Sequence, residues 1–383
     1  MATENNNKTL NVPNLRFPEF NGEWERCSLG EITTNFSRRN KEEVRYPMFS
    51  VTNNRGFVPQ SEQFEDREMV GEDIKAYKII HKNDFAYNPA RINVGSIAKY
   101  NGNEPCMISS LYVCFTADKR LDNEWLIQLL KTPKMNFYYN INGEGGVRVY
   151  LFYPNFARIK TAFPSLQEQQ KISSFLSLLD ERIATQIKII EDLKKLKSAI
   201  SNEIFDHTSN RKCELKEIAS VIMGQSPSSH AYNNNADGLP LIQGNLDIEN
   251  GQLSPRIYTS EITQTCECGD VILTVRAPVG EIAIAQQEAC IGRGVCSIRP
   301  HVKNDTNLIY QFLQYFKPKW GSLEQGSTFT AVSSTDIRGI EVSIPSTDKI
   351  QLLDVYDNKI RVESRIHTNL IQQKQYLLAQ MFI

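Results

Sequence analysis

The chain is written twice, and that duplication constrains its fold more than any other feature. Leu29-Gly-Glu-Ile32 is matched by Leu215-Lys-Glu-Ile218, and Asn83-Asp-Phe-Ala86 by Gly269-Asp-Val-Ile272, both at an offset of 186. Gly95-Ser-Ile97 answers Gly280-Glu-Ile282 at 185, and Val113-Cys114 answers Val295-Cys296 at 182. Leu126, Gln128 and Leu130 align with Ile309, Gln311 and Leu313 at 183, and Phe163-Pro164 with Ile344-Pro345 at 181. The shared order and slow drift are what small loop insertions leave behind. A period near half of 383 residues implies two copies of a large unit, not a solenoid.

Each copy has two parts. The first, about 135 residues, mixes short β-type runs such as Val271-Ile-Leu-Thr-Val275 and Glu341-Val-Ser-Ile344 with helical stretches at Glu124–Leu130 and Asn307–Phe316. This is an α+β globule. The second part is a long helix. After Pro164, Ser165 with Glu168 three positions on gives a capping-box pattern. Apolar residues then recur at Ile172, Phe175, Leu176, Leu179, Ile183, Ile187, Ile190, Leu193, Leu196, Ile200 and Ile204, in steps of mostly three and four, without Pro or Gly. Such a stripe is a coiled-coil seam. The remaining positions from Glu168 to Glu203 carry six acids and six bases, a solvated face. The second copy, from Pro345-Ser346, places Leu352, Leu353, Tyr356, Ile360, Ile366, Leu370, Ile371, Leu377, Leu378 and Met381 on a weaker stripe.

A helix of ~40 residues is ~60 Å long. Two such helices bury their stripes best against each other, and the order globule–helix–globule–helix makes the pair antiparallel. The expected architecture is therefore two similar α+β globules separated by two long helices packed as an antiparallel coiled coil, with pseudo-two-fold symmetry. The expected divisions are a tail at 1–24, a first globule at 25–163, a central helix at 164–207, a second globule at 208–344 and a closing helix at 345–383. Twin heads on a fixed spacer suit duplex DNA, whose half-sites repeat with a helical turn of ~34 Å, or ~10 bp. The competing reading is a coiled-coil scaffold that joins two protein-binding globules.

Charge and composition narrow the field. Forty-three Lys and Arg against 44 Asp and Glu give a net charge of −1, which excludes a polycation but not a local basic patch. The opening residues hold no apolar h-region and no 18-residue apolar run exists, so neither a secretory signal nor a membrane span is expected. The eight cysteines form no C-x-x-C pair, so no metal is expected; they read as small buried hydrophobes in a reducing cytosol.

The globule loops carry the candidate DNA contacts. In the first globule these are Tyr87, Asn88, Arg91, Asn93, Lys99 and, in the Gly145-Gly146-Val-Arg148 turn, Arg148. In the second they are Gln225, Ser228, Tyr232, Gln243, Asn245, Arg276 and Arg293, with Gly326-Ser-Thr-Phe329 at the position of the first globule's glycine turn. Arg pairs bidentately with guanine edges and Asn or Gln with adenine; Lys and Ser suit phosphates. Asn, Gly, Ser and Pro are equally what ordinary loops contain. The helix-pair seam is expected at Ile172, Phe175, Leu176, Leu179, Ile183, Ile187 and Ile190, facing Leu353, Tyr356, Ile360, Leu370 and Leu377.

With these residues in view, the chain resembles the specificity subunit of type I restriction-modification systems. The resemblance rests on an ordered set: Pro13-Asn-Leu-Arg-Phe-Pro-Glu-Phe20 through Trp24; Pro164, Glu168-Gln169, Ile172, Phe175-Leu176 and Asp180; Gly238-Leu-Pro-Leu-Ile-Gln-Gly244; and Gly269-Asp-Val-Ile-Leu-Thr-Val-Arg276-Ala-Pro-Val-Gly280. It spans essentially the whole chain, and departs at the second helix, where Lys349-Ile350 replaces Glu-Gln. It implies two target-recognition domains, each reading half of a bipartite DNA sequence. It implies helices that set the spacing and bind two methyltransferase (modification) subunits. S-adenosylmethionine, ATP and Mg would belong to the methyltransferase and restriction (translocase/nuclease) partners, with no cofactor and no catalysis in this chain, in the cytoplasm. The residues agree: there is no G-x-x-x-x-G-K-[ST] motif. Asn88-Pro-Ala-Arg91 lacks the second proline and aromatic of an amino-methyltransferase motif. Glu214-Leu-Lys216 resembles a nuclease E-x-K, but falls where a strand enters the globule. A relict enzyme is the weakest alternative.

Overall fold

Leu166–Phe205 forms one helix of 40 residues, and Thr347–Met381 another of 35. Neither interior contains proline or glycine, so nothing interrupts the hydrogen-bond ladder. The computed structural model describes residues 11–62, 74–145, 149–322 and 331–383. It divides into two compact units, Met1–Ala184 with Thr368–Ile383, and Thr185–His367. Each unit therefore owns a stretch of both long helices. In the second, Gln186 donates to the Glu363 carboxylate at 2.5 Å and Lys197 to Asp357 at 2.6 Å, so the helices run antiparallel. In the first, Lys374 pairs with Asp180.

The central-helix seam falls at 172, 176, 179, 183, 186, 190, 193, 197, 200 and 204, a strict alternation of four and three. Ile172, Leu176 and Leu179 are buried, and Ile183 and Ile190 half-buried. Phe175 and Ile187, both counted in the stripe, lie off it, 39% and 42% exposed. Leu196, also counted, is 48% exposed; Gln186 and Lys197 take the seam positions of Ile187 and Leu196, which a count of apolar spacing passes over. On the closing helix Leu353, Leu370 and Leu377 are buried, and Tyr356 and Ile360 half-buried.

The globular parts repeat one strand plan. In the first unit Glu25–Ser28 pairs antiparallel with Lys160–Phe163. An antiparallel sheet runs in the order Thr33–Phe36, Val113–Ala117, Phe85–Tyr87, Ile97–Lys99. In the second unit Arg211–Glu214 pairs with Glu341–Ile344. Its main sheet repeats that order with Ala219–Met223, Val295–Pro300, Val271–Thr274 and Ile282–Ile284, then adds Gln252–Leu253 and Ile248–Glu249. A second, five-stranded sheet includes Leu239–Ile242 and Ala289–Ile291. One helix closes each core: Asn123–Leu130, capped by the Asp122 side chain accepting from the Trp125 N–H, and Thr306–Phe316. Phe205, the last residue of the central helix, and Phe382, just past the closing one, take corresponding places. Phe205 packs on Phe312 and Tyr315, and Phe382 on Trp125, with ring centroids 5.1–5.7 Å apart.

Two expectations change here. Residues 11–24 are not a tail: Trp24 is 2% exposed, and the Leu15 N–H donates to the Gln380 carbonyl at 2.9 Å. The Glu168 carboxylate does not reach back to its own helix start. The Ser165 hydroxyl does accept from the Glu168 N–H at 3.4 Å. The carboxylate instead receives Nε and Nη2 of Arg16, each at 2.7 Å, and the Trp24 indole at 3.3 Å. A buried carboxylate needs a cation more than its helix needs a second cap.

Candidate nucleic-acid interface

In the second unit three loops are stitched together by backbone bonds. Gly224 N donates to Val295 O at 3.0 Å, Gln225 N to Ile291 O at 2.9 Å, and Gly292 N to Ile242 O at 2.8 Å. The Arg293 N–H meets the Ser226 hydroxyl at 3.1 Å. The approach is close enough to demand glycine: a Cβ at Gly294 would lie 2.0 Å from the Gln243 carbonyl oxygen, and one at Gly224 2.2 Å from that of Gly292. Val275 N donates to Gly294 O at 2.9 Å, which brings Arg276 to the same edge.

Side chains project from this packed backbone. Gln225, Ser228, Arg276 and Arg293 are exposed. Among the described residues the guanidinium groups of Arg276 and Arg293 meet no carboxylate within 4 Å and make no hydrogen bond. Gln243 and Tyr232 form a half-buried pair, Nε2 donating to the hydroxyl at 2.9 Å, and that hydroxyl donates to Pro227 O at 3.3 Å. The Gln243 N–H is fixed by the buried Asp247, which also holds Arg256 at 2.9 Å. Asn245 opens the short turn behind it. Six of the seven candidates of this unit thus lie on or beside one loop cluster, and Arg276 joins it through Val275.

The first unit separates its candidates. Tyr87 is 0% exposed, and its ring packs between Phe115 and Phe156. Burial pushes its hydroxyl well above the usual tyrosine range. It is a core residue and presents no face to a ligand, because Phe85–Tyr87 is a strand buried on both faces. Lys99 is paired with Glu124, its side chain 8% exposed. Asn88 turns its Oδ1 to the Ala90 N–H at 3.0 Å, a local turn. Asn93 donates to Asn140 at 3.0 Å. Arg91 is exposed, with no ion pair among the described residues. Arg148, with Gly146, lies outside the described residues, as does Gly326-Ser-Thr-Phe329.

Three exposed cations stand outside the sequence candidates: Arg39, Lys41 and Arg45. Arg39 stands 186 residues before Gln225, so the repeat itself was the signal that this loop corresponds to 224–232. No described side chain pairs with them, whereas the neighbouring Arg38 is held by Asp84 at 2.7 Å.

Among the described residues no group of three or more His, Cys, Asp or Glu is placed to hold a metal ion. Seven cysteines are buried and Cys268 is exposed; burial pushes the thiols of Cys27, Cys106, Cys114 and Cys296 up to about 12. Glu214 and Lys216 pair with each other. Among the described residues no helix is long and apolar enough to cross a membrane.

The strand plan is built twice, each time beside the long helices, and in the second unit it carries a loop cluster whose arginines are unpaired among the described residues. The chain belongs to the family described as type I restriction modification DNA specificity domain, whose pattern matches residues 21–195 and again 210–372. It is 26% identical to the MjaX type I restriction enzyme specificity subunit of Methanocaldococcus jannaschii, over 89% of this chain and 88% of that one. It is 23% identical to the MjaVIII specificity subunit of the same organism, over 78% of each. Two solved structures share the fold. One, from work on complex assembly and conformational transition of the type I R-M system, has a TM-score of 0.62 at 22% identity, covering 93% of this chain and 96% of that one. The other, the type I restriction-modification S subunit from M. genitalium, has a TM-score of 0.61 at 16% identity, covering 97% and 99%. The protein is a type I restriction-modification specificity subunit with two recognition domains, which sets aside the reading as a protein-joining scaffold.

Proposed function

We propose that each recognition domain reads one half of a bipartite sequence in double-stranded DNA, and that the paired helices set the spacing and dock two methyltransferase subunits. Restriction subunits join through that complex. S-adenosylmethionine, ATP and Mg act in the partners, and this chain contributes recognition without catalysis, in the cytoplasm. One observation carries the reading: among the described residues Arg276 and Arg293 stand exposed and unpaired on a backbone packed through glycine, and Arg39 and Arg91 stand exposed and unpaired in the equivalent loops of the first unit. Such guanidinium groups serve phosphate or guanine equally, and a net charge of −1 makes them a local attraction and not a general one.

The test is to assemble the chain with its methyltransferase subunits and measure DNA binding against salt. The reading expects binding that weakens as salt rises and prefers one bipartite sequence. In it, Arg276→Ala with Arg293→Ala relaxes one half and leaves the other. Binding with no sequence preference, or equal loss at both halves, would count against it.

A further inference from the structure

The two units repeat one polar contact where the recognition-domain helix meets the long helices, with the Asp180 side chain 43% and the Asp357 side chain 23% exposed. In the first, Gln128 donates to Asp180 Oδ2 at 3.3 Å while Lys374 pairs with Oδ1 of the same carboxylate. In the second, Gln311 donates to Asp357 Oδ2 at 2.7 Å while Lys197 pairs with Oδ1 at 2.6 Å. The glutamines are equivalent in the repeat at an offset of 183. Asp180 and Asp357, and Lys197 and Lys374, are equivalent at 177, the same offset that carries Ile183 to Ile360 and Phe205 to Phe382. Each carboxylate therefore joins three elements of its unit: the helix of the recognition domain, the central helix and the closing helix.

Apolar packing alone would not need this. Gln311 is 1% exposed and Gln128 9%, positions where leucine packs without a desolvation cost. Yet all three residue types are the same in both copies, while seam neighbours have diverged: Gln186 against Glu363, Ile190 against His367. Apolar seams tolerate slippage and rotation. A carboxylate held by two donors from two directions does not, because a charge-assisted bond weakens steeply with distance and angle.

Resting on the recognition reading above, we infer that Asp180 and Asp357 are positioning residues, which fix the orientation of each recognition domain on its helix pair and so hold the unread gap to one length. They act through geometry and touch no base.

The experiment uses the full chain with its methyltransferase subunits and a DNA library. In the library both half-sites are constant and the gap is varied by one and two base pairs. Asp180→Asn, Asp357→Asn and the double substitution are compared with wild type by modification at each gap, at equal complex concentration. The expected result is that modification at gaps one base pair off rises by about tenfold or more relative to the native gap, a scale on which small misplacements act. The half-site sequences stay the same. A double variant with the wild-type gap profile overturns the inference. If an Asn variant does not assemble, Lys197→Met and Lys374→Met remove the same geometry from the other side, and an unchanged profile there overturns it equally. A wild type that prefers no bipartite sequence would instead overturn the recognition reading itself.

Discussion

Replacing Arg16 with methionine should destabilise the first unit by several kcal/mol, because it strands a buried carboxylate. Glu168 is 1% exposed and receives two charge-assisted bonds at 2.7 Å from Arg16, whose side chain is 16% exposed. Without the guanidinium only the Trp24 indole, at 3.3 Å, remains to the carboxylate. Stranding one member of a buried ion pair costs about 3–5 kcal/mol. Glu168→Gln should cost less, since Arg16 keeps the carbonyls of Gly22 and Asn21, and the double substitution should cost less than the sum. Urea unfolding is read by tryptophan emission in a Trp320→Phe background. Only Trp24 and Trp125, both in the first unit, then report. A loss below about 1 kcal/mol would refute the reasoning.

Gly294→Ala should abolish reading of the second half-site, since a Cβ 2.0 Å from the Gln243 carbonyl must displace the half-buried loop that holds Gln243 and Arg293; binding to targets with that half scrambled, beside a melting curve of the variant, checks it. Arg293→Ala should either relax one base position by about 1–3 kcal/mol or lower the salt slope by about one, according to whether it meets base or phosphate. Glu363 is held below the usual glutamate range by the Lys359 ammonium and then by Gln186. Its stabilisation is therefore present above its unfolded value and lost as pH falls through the depressed one. Glu363→Gln should flatten the acid limb of melting temperature against pH below about 4.5, and superimposable limbs would contradict this.

Duplication, helix lengths and mixed α+β character were legible because each is a pattern over many residues. The repeated strand order of the two sheets follows the drifting offsets closely. Individual positions were less so. Tyr87 sits in the same short string as Arg91, yet one ends a fully buried strand and the other begins a surface turn, a difference that periodicity over three residues cannot express. Gln186 and Lys197 are in the seam because partners on the closing helix satisfy them, and those partners lie 160 and 177 residues away in sequence. Glu168 looked like a capping residue because its partner, Arg16, lies 152 residues earlier. Arg39, Lys41 and Arg45 lie in a loop without glycine, so local composition does not mark it, and only the repeat, which pairs position 39 with Gln225, does.

The most direct test is methylation mapping of cells that lack this gene, before and after the intact gene is restored beside its methyltransferase partner. The account predicts the return of modification at one asymmetric motif of two short sequences across a gap of constant length, with Arg276→Ala and Arg293→Ala altering only one of the two. Modification that does not depend on this chain, or that returns at a single uninterrupted motif, would contradict it.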